Sequence, residues 1–163
     1  MKPSRRRDPV VYVTTSQIAR MASEAARHPR GRINHDFHEP RDPYQRMLSV
    51  VQPGSYVRPH RHLDPPKAET FVVLRGEMAF FAFADDGTVI EAVRIGPRQE
   101  TLLVDLKPGV WHSVAALAPD TAIFEGKNGP YDPATDKEFA PWAPEEGDPE
   151  AAAYLAALLA RLT

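Results

Sequence analysis

Residues 54–76, GSYVRPHRHLDPPKAETFVVLRG, decide the fold and the site of this chain. His60 and His62 lie two positions apart, and the side chains of a strand repeat every two residues, so an extended backbone presents both imidazoles on one face. Glu69 then opens a short apolar run that ends at an Arg-Gly turn. The stretch predicts short extended segments that carry a chelating pair of histidines and a carboxylate.

The same rhythm of short apolar runs and turns continues from residue 46 to residue 125. Turns rich in Pro, Gly and Asp separate the runs, which is typical of an antiparallel sandwich or barrel. No helical period occurs between the runs, so a parallel α/β sheet is disfavoured. We therefore expect an all-β core, with strands at 46–51, 69–74, 78–84, 89–95, 101–106, 111–116 and 121–125.

The N-terminal segment predicts a strand and a helix. Residues 10–14 (VVYVT) are β-branched and aromatic, as in strands, and Ser16 is placed to cap a helix with apolar residues at helical spacing. Residues 33–44 are rich in Asn, Asp, His and Pro and show no period, so we expect an ordered loop there.

The C-terminal segment predicts an acidic, proline-rich extension followed by a helix. Asp148 as the cap and Pro149 in the first turn mark its start. We expect its apolar face to pack on the barrel, with a dimer partner as the alternative. That face consists of Tyr154, Leu155, Leu158, Leu159 and Leu162.

Length and composition favour one structural domain. A chain of 163 residues suits a single core. We divide it into an N-terminal strand, helix and loop packed on the barrel (1–45), the β-barrel (46–126), and a C-terminal extension and helix (127–163).

Composition also excludes several classes of function. The chain has no Cys, which rules out disulfides, a thiolate zinc site and a cysteine nucleophile. A formal net charge of -2 gives no reason to expect nucleic-acid binding. No apolar run is long enough to cross a bilayer, and no signal peptide is recognisable, so we expect a cytoplasmic protein.

Basic residues dominate 1–32 and acidic residues dominate 130–150, so the two ends are candidates to attract each other. For Arg5, Arg6 and Arg7, solvated segments are the simpler interpretation.

Four residues are candidate metal ligands: His60, His62, Glu69 and His112. Three neutral imidazoles and one carboxylate suit a divalent transition metal such as Fe, Mn, Ni, Cu or Zn, whereas Ca or Mg would require more oxygen ligands. Four ligands leave one or two positions for water or substrate. By itself a His-x-His pair is a weak signal, because two surface histidines on a strand have the same spacing.

The context of this pair resembles the cupin motif. From Gly54, five residues lead to His60 and His62, six more to Glu69, and six more to Gly76. This resembles the pattern G(X)5HXH(X)3,4E(X)6G, with two additional residues before the glutamate. Residues 107–112, KPGVWH, resemble the cupin turn that brings the last ligand from a later strand. Longer runs resemble the WbuC family of cupin-fold metalloproteins, at 56–62, 67–76, 109–112 and 125–145.

The resemblance covers nearly the whole chain, from about Arg32 to the last helix. It implies a single-domain cupin jelly-roll β-barrel with a metal ion in its mouth. Together with the patterns above, we expect this barrel to carry a short N-terminal strand and helix and a C-terminal helix, and its ligands to hold one divalent ion (Fe, Mn, Ni or Zn). Members occur in bacteria, and some lie in O-antigen polysaccharide gene clusters. The chain departs from the general cupin pattern in the insertion at 64–67 and in Ala116, where the pattern has Asn. The insertion leaves open whether Glu69 binds the ion directly or supports a ligand.

Tyr56 and Arg58 are candidate substrate-binding residues. On a regular strand they share the face of the two histidines, and an inward Arg58 would bind a carboxylate, phosphate or sugar diphosphate. Pro59 leaves a bulge open, and a salt bridge from Arg58 to an acid such as Glu125 is the alternative.

Lys127 and Tyr131 follow the last core strand, and the family resemblance places them over the barrel mouth as substrate contacts. On residue type alone, an ion pair for Lys127 and a packing anchor for Tyr131 are favoured. Asn34, His35 and His38 form a second polar cluster, for which surface hydrogen bonding is favoured over a second metal site.

These features predict a small metalloenzyme that acts on an anionic or sugar-derived small molecule, with O-antigen or other polysaccharide metabolism as a candidate setting. Isomerisation, epimerisation and oxygenation all fit. The alternatives are a non-catalytic module that binds metal or ligand, and a metal-free epimerase-like cupin with His as general base. A homodimer is the candidate assembly. The motifs of serine hydrolases and P-loop phosphoryl transfer do not occur.

Overall fold

A computed structural model of the protein describes residues 9–162. Short β-strands dominate these residues, with one helix before them and one after. The helices are α1 (Thr15–Ala25) and α2 (Ala151–Leu159), and the strands are β1 (Arg32–Asp36), β2 (Tyr44–Val51), β3 (His60–Arg61), β4 (Glu69–Arg75), β5 (Met78–Phe83), β6 (Val89–Ile95), β7 (Leu103–Leu106), β8 (Trp111–Ala116), β9 (Thr121–Asn128) and β10 (Glu138–Phe139).

The strands form two five-stranded antiparallel sheets. The first has the order β1-β2-β9-β4-β7 and the second the order β10-β3-β8-β5-β6. Most neighbours are far apart in sequence, so the chain crosses repeatedly from one sheet to the other. The predicted all-β core is confirmed, and β6 and β8 have their predicted bounds.

Strand β5 shows how the two sheets are filled. Its sequence MAFFAF is buried throughout, with side chains that alternate between two apolar clusters. Met78, Phe80 and Ala82 face the interior between the sheets. Ala79, Phe81 and Phe83 face the outer side of the second sheet. Because β5 has no polar face, both faces of its sheet must be covered by other segments of the chain.

The chain covers the outer faces of both sheets with its own segments. Apolar residues of α1, Ile18 and Met21 among them, pack on Leu48 and Val50 of β2. The C-terminal extension and α2 cover the second sheet. The predicted face of α2 packs there, with Leu155 and Leu158 buried and Tyr154, Leu159 and Leu162 partly buried.

The N-terminal strand prediction is wrong. Residues 10–14 form no strand and lead directly into α1. The side chains of Val10 and Tyr12 are more than half exposed, so their apolar surface is not packed against a sheet as it would be in a strand. The helix cap also differs, because the side chain of Thr14, not Ser16, accepts the hydrogen bond from Gln17 N.

The predicted loop at 33–44 contains part of a strand. β1 pairs along its whole length with β2, from Arg32 opposite Val51 to Asp36 opposite Met47. Its inward-facing residues are polar, so the sequence shows no apolar alternation. β3 was predicted only as an extended segment around His60 and His62, without bounds, and β10 was not predicted; each has only two residues.

The C-terminal helix starts slightly later than predicted. Glu150 is the cap residue and forms no side-chain cap hydrogen bond. The carboxylate of Asp148 instead accepts a hydrogen bond from Glu145 N at 2.8 Å, so it stabilises the turn before the helix.

Within residues 9–162, an ion pair joins the basic N-terminal part to the acidic C-terminal part. Arg32 Nη2 lies 2.5 Å from Glu146 Oε1. Arg5, Arg6 and Arg7 lie outside the described residues. Neither helix in residues 9–162 combines the length and the apolar run that crossing a membrane requires.

Candidate metal centre

The four predicted ligands converge in the interior between the sheets. β3 contributes His60, and His62 follows it directly; Glu69 opens β4 and His112 lies in β8. Each offers one donor atom, and these atoms all lie within 4.8 Å of one another. All four side chains are buried. Residues far apart in sequence thus form one compact group that could hold a metal ion.

Glu69 lies at the centre of this group. Its Oε2 is 3.2 Å from His62 Nε2 and 3.0 Å from His112 Nε2. The two additional residues in the insertion before Glu69 therefore do not remove its carboxylate from the histidines.

Backbone carbonyls fix the tautomers of the three histidines. Each Nδ1 faces a carbonyl oxygen, which can only accept, so Nδ1 carries the proton and a neutral ring keeps a lone pair on Nε2. The acceptors are the carbonyl oxygens of Arg58 for His60 (3.0 Å), Asp136 for His62, and Val110 for His112 (2.9 Å). This is the arrangement in which metal-binding histidines are usually held.

Three of the four donor atoms lack hydrogen-bond partners. His62 Nε2, His112 Nε2 and Glu69 Oε2 are buried and form no hydrogen bond. Two lone pairs and a carboxylate oxygen repel one another at such distances unless a positive charge lies among them. A divalent cation among these atoms would give each of them a partner.

Burial and neighbouring charges keep the group in its ligand form. Burial, with smaller contributions from Lys137 and His112, lowers the pKa of His60 well below its usual value. Burial alone would favour a neutral Glu69, but its contacts with His112 and His62 hold its pKa well below the usual value. These shifts favour the neutral imidazole of His60 and the ionised carboxylate of Glu69, the forms in which both side chains bind a metal ion.

Glu125, on β9, is a further acid beside the centre, mentioned above only as a partner for Arg58. Burial and the neighbouring Glu69 carboxylate raise the pKa of Glu125 to about 8. The sequence does contain a signal for Glu125, because it is an acidic residue at the end of the otherwise mostly apolar predicted strand 121–125.

A cavity of about 430 Å³ opens beside the centre, and we call it the metal cavity. His60, Glu69 and His112 lie in its wall. The basic residues that line it are Arg30, Arg32, Arg58 and Lys137. A metal ion held here would be accessible to small molecules, and the approach carries these cationic groups together with the acidic side chains of Glu125, Glu145 and Glu146.

Arg58 is one of these lining residues, and it also forms a salt bridge, so both features considered for it from the sequence occur together. Its guanidinium lies over the ring of Phe139, 5.4 Å from the centroid. Nη1 is 3.1 Å from Glu145 Oε1 and Nη2 donates to the carbonyl of Ala140 at 3.0 Å, while Nε is buried without a partner. The acid that pairs with Arg58 is therefore Glu145, not Glu125.

Tyr56 does not share this position, and the prediction from strand parity is wrong for it. Its ring packs against Tyr154 in the outer cluster of the second sheet, and its hydroxyl donates to the carbonyl of Pro144 at 3.0 Å. The reason is that β3 begins only at His60, so the preceding residues do not follow regular strand alternation.

Lys127 and Tyr131 lie at a second cavity of about 490 Å³, adjacent to the metal cavity. Lys127 is buried and its Nζ is 2.8 Å from Asp136 Oδ2, which matches the ion-pair alternative. Tyr131 is exposed, so it is not a packing anchor. Neither residue lines the metal cavity.

Residues 129–146, which we call the strap, form most of the connection between β9 and α2 and close one side of the centre. Asp136 fixes the strap through two buried lysines, with Lys67 Nζ at 2.8 Å from Oδ1 and Lys127 Nζ at 2.8 Å from Oδ2. Burial opposes ionisation of Asp136, but the two ammonium groups outweigh it and lower its pKa. Since the carbonyl of Asp136 accepts from His62, the lysines also fix that ligand.

Sequence reasoning did not identify Asp136, Lys137 or Phe139 as parts of the site. They lie in the irregular strap, where no period predicts which side chains point inward. Of the second polar cluster, His38 is buried with Nδ1 at 2.9 Å from Arg46 N. Among residues 9–162, only the His60 group has the geometry of a metal site.

A comparison with family models identifies this protein's family. The model described as "Domain of unknown function (DUF6016)" matches residues 13–95. The chain belongs to the DUF6016 family. The match contains three of the four candidate ligands, while His112 lies beyond it. A comparison of this DUF6016 protein with curated protein sequences gives no match.

Solved structures similar to this DUF6016 chain share its barrel. CapF from Staphylococcus aureus, titled a capsular polysaccharide assembling protein, has 21% identity and a TM-score of 0.54, with 65% of this chain and 31% of that chain covered. Oxalate oxidase in complex with the substrate analogue glycolate has 15% identity and a TM-score of 0.52, over 71% of this chain and 58% of that chain. KdgF from Halomonas sp. has 16% identity and a TM-score of 0.50, over 63% of this chain and 82% of that chain.

These likenesses concern the fold. All three proteins have the cupin fold, so the predicted cupin jelly roll is confirmed. The DUF6016 chain spans about a third of the length of CapF. The WbuC family is not the family that the matching model names.

Proposed function

We propose that this protein is a cupin metalloenzyme that holds one divalent transition metal ion and acts on a small anionic, sugar-derived molecule. His60, His62, Glu69 and His112 would be the ligands. One observation carries the proposal. Each of the three imidazoles donates a hydrogen bond from Nδ1 to a backbone carbonyl, so the lone pair of each Nε2 beside Glu69 is available to a metal ion.

The donor set supports an ion such as Fe, Mn, Ni or Zn. Three nitrogens and one oxygen match the ligand preferences of these metals. Such an ion supplies Lewis acidity and an exchangeable position for a substrate oxygen, water or dioxygen. Isomerisation, epimerisation and oxygenation are the reaction classes that use this chemistry.

The charges of the metal cavity support an anionic substrate. Arg58 presents a planar guanidinium toward the cavity, a group suited to carboxylate or phosphate. Its partner Glu145 is largely exposed, with a side-chain accessibility of 73%. A substrate anion can therefore replace this carboxylate, because an exposed ion pair is weak.

The sugar-derived class rests on resemblance. The runs at 56–62 and 125–145 resemble the WbuC family, some of whose members lie in O-antigen gene clusters. CapF is titled a capsular polysaccharide assembling protein. We therefore place the substrate among the acidic or phosphorylated sugars of polysaccharide metabolism.

Elemental analysis and native mass spectrometry of protein purified without chelators test this proposal. We expect about one transition metal ion per chain in the parent and in the control His28→Ala, and none in His112→Ala. A carbohydrate or organic acid that co-purifies would identify the substrate class. A metal-free parent that turns over sugars would support the epimerase-like alternative, and a metal-loaded parent without an exchangeable water or any turnover would support the binding module.

A further inference from the structure

The second cavity adjoins the metal cavity and has no role in the function proposed above. The two cavities share five lining residues, which are Arg30, Asn34, Glu125, Lys137 and Phe139. Gln45 lines only the second cavity. The shared wall places the two spaces side by side, near the same end of the barrel.

Gln45 is the unusual residue of the second cavity. Its side chain is fully buried, with an exposure of 0%. Both polar atoms, Oε1 and Nε2, are buried and form no hydrogen bond. A buried amide without partners destabilises the fold, because each unsatisfied polar group has lost its hydrogen bonds to water. An amide retained in this state at a cavity wall points to a ligand that supplies the missing partners.

The sheet register fixes the distance of Gln45 from the metal centre. On adjacent strands, Gln45 of β2 lies opposite Lys127 of β9, and Lys127 lies opposite Glu69 of β4. Neighbouring strands are about 4.8 Å apart, so the backbones of Gln45 and Glu69 are separated by roughly 10 Å. This span suits one molecule about the size of a hexose.

The chemistry of the second cavity suits hydroxyl groups. Its lining includes carboxylates (Asp36, Glu125), amides (Asn34, Gln45) and the ring of Phe139. A hydroxyl both donates and accepts, so a polyol can satisfy carboxylates and amides together. Lys127 is already paired with Asp136, and the other cations of this lining, Arg30 and Lys137, belong to the wall that is shared with the metal cavity.

We propose that the two cavities form one cleft for an acidic or phosphorylated sugar, with the anionic group in the metal cavity and the hydroxylated carbons over Gln45. Gln45 would then be a specificity residue that distinguishes a sugar acid from a short carboxylate. The location of the anionic group rests on the proposed function, whereas the role of Gln45 rests on its own burial and missing partners.

Titration calorimetry with defined probes tests this inference. The probes are D-glucuronate, D-gluconate and D-glucose 6-phosphate, with glycolate as the short anion that cannot reach Gln45. We expect the parent to bind at least one sugar probe more tightly than glycolate. Gln45→Met keeps the side-chain volume and should weaken that binding roughly tenfold, about the effect of one lost hydrogen bond, while glycolate binding stays unchanged. Gln99→Met makes the same change on a distant turn and should bind like the parent.

Two results would overturn the inference: a parent that binds no sugar probe more tightly than glycolate, or a Gln45→Met protein that binds the sugar probes as tightly as the parent. If Gln45→Met does not fold, Asp36→Ala replaces it, because Asp36 is an exposed residue of the same wall; unchanged sugar binding there would also count against the inference. Metal content is measured on the same samples. A metal-free parent with Gln45-dependent binding would refute the metal assignment and retain the cleft.

Discussion

His60 and His112 are direct cross-strand partners, and their ring centroids are 4.4 Å apart. They form the register pair between β3 and β8, and on its other side His60 lies opposite Phe139 of β10. One short strand thus attaches the strap to the barrel and places two of the candidate ligands together. Metal binding and local structure should therefore depend on each other here.

Metal removal should lower the melting temperature. An ion that binds only the folded state at one hundred times its dissociation constant stabilises it by about 2.7 kcal/mol, or roughly 5–10 °C for a domain of this size. Differential scanning fluorimetry of chelator-treated protein, with and without added Mn²⁺, Fe²⁺, Ni²⁺ or Zn²⁺, measures this shift. His60→Ala should show no shift, and His28→Ala should match the parent. An equal shift in His60→Ala would contradict the ligand assignment.

Metal affinity should decrease at acidic pH, because protons compete for the imidazole nitrogens. At His60, the direction of the pKa shift decides where this competition begins. Burial lowers its pKa, so it stays neutral at pH values where an ordinary histidine is protonated, and competition at this ligand begins only below that range. Dissociation constants measured from pH 8 down to the pH at which the protein unfolds should therefore change little at first and then rise. A constant value over that whole range would place the metal elsewhere.

Asp136→Asn should destabilise the protein and weaken metal binding. The change leaves the buried ammonium groups of Lys67 and Lys127 without their anionic partner, a loss of about 3–5 kcal/mol when a buried pair is broken. The strap carbonyl that orients His62 should move with it, and lost support of a ligand typically weakens metal binding about 10–100-fold. Urea unfolding of the metal-free protein and metal titration measure the two effects.

The matched control for this change is Asp86→Asn. Asp86 is exposed and its carboxylate accepts a hydrogen bond from Thr88 N, which Asn can also accept. This control should unfold like the parent. If Asp136→Asn binds metal as tightly as Asp86→Asn, the strap does not orient His62.

Arg58→Ala should weaken the binding of glycolate at least about tenfold without loss of metal, because it removes a charge-assisted donor from the metal cavity. Glu145→Gln should have the opposite effect, since it removes the carboxylate that occupies Arg58. Arg94→Ala is the control, because Arg94 pairs with Glu77 away from the cavity. Calorimetry reports binding and elemental analysis reports metal. Parent-like titration curves for Arg58→Ala would remove this residue from the binding site.

The barrel was predictable from the sequence because its strands carry the signal in short apolar runs separated by turns. Strand β8, for example, has its predicted bounds, and its alternation places His112 inward and Trp111 outward. The motif around His60 and Glu69 identified the candidate ligands because its spacing spans the step from β3 in one sheet to the start of β4 in the other.

The strap and the edge strand were less predictable, for a physical reason. Polar residues of β1 such as Asn34 face the cavities, so their alternation does not resemble an apolar strand. The position of Asp136 depends on contacts with lysines far away in sequence. Parity failed for Tyr56 because regular strand pairing begins only four residues later, at His60.

The strap has a consequence for exchanging segments between relatives. It supplies the carbonyl that holds His62, the acid that pairs with Arg58 and part of the wall of both cavities. A chimera that receives a foreign strap would change ligand orientation and cavity shape in one step. Graft boundaries placed beyond residues 129–146, with Lys67 and Lys127 carried along, are the ones that keep this unit intact.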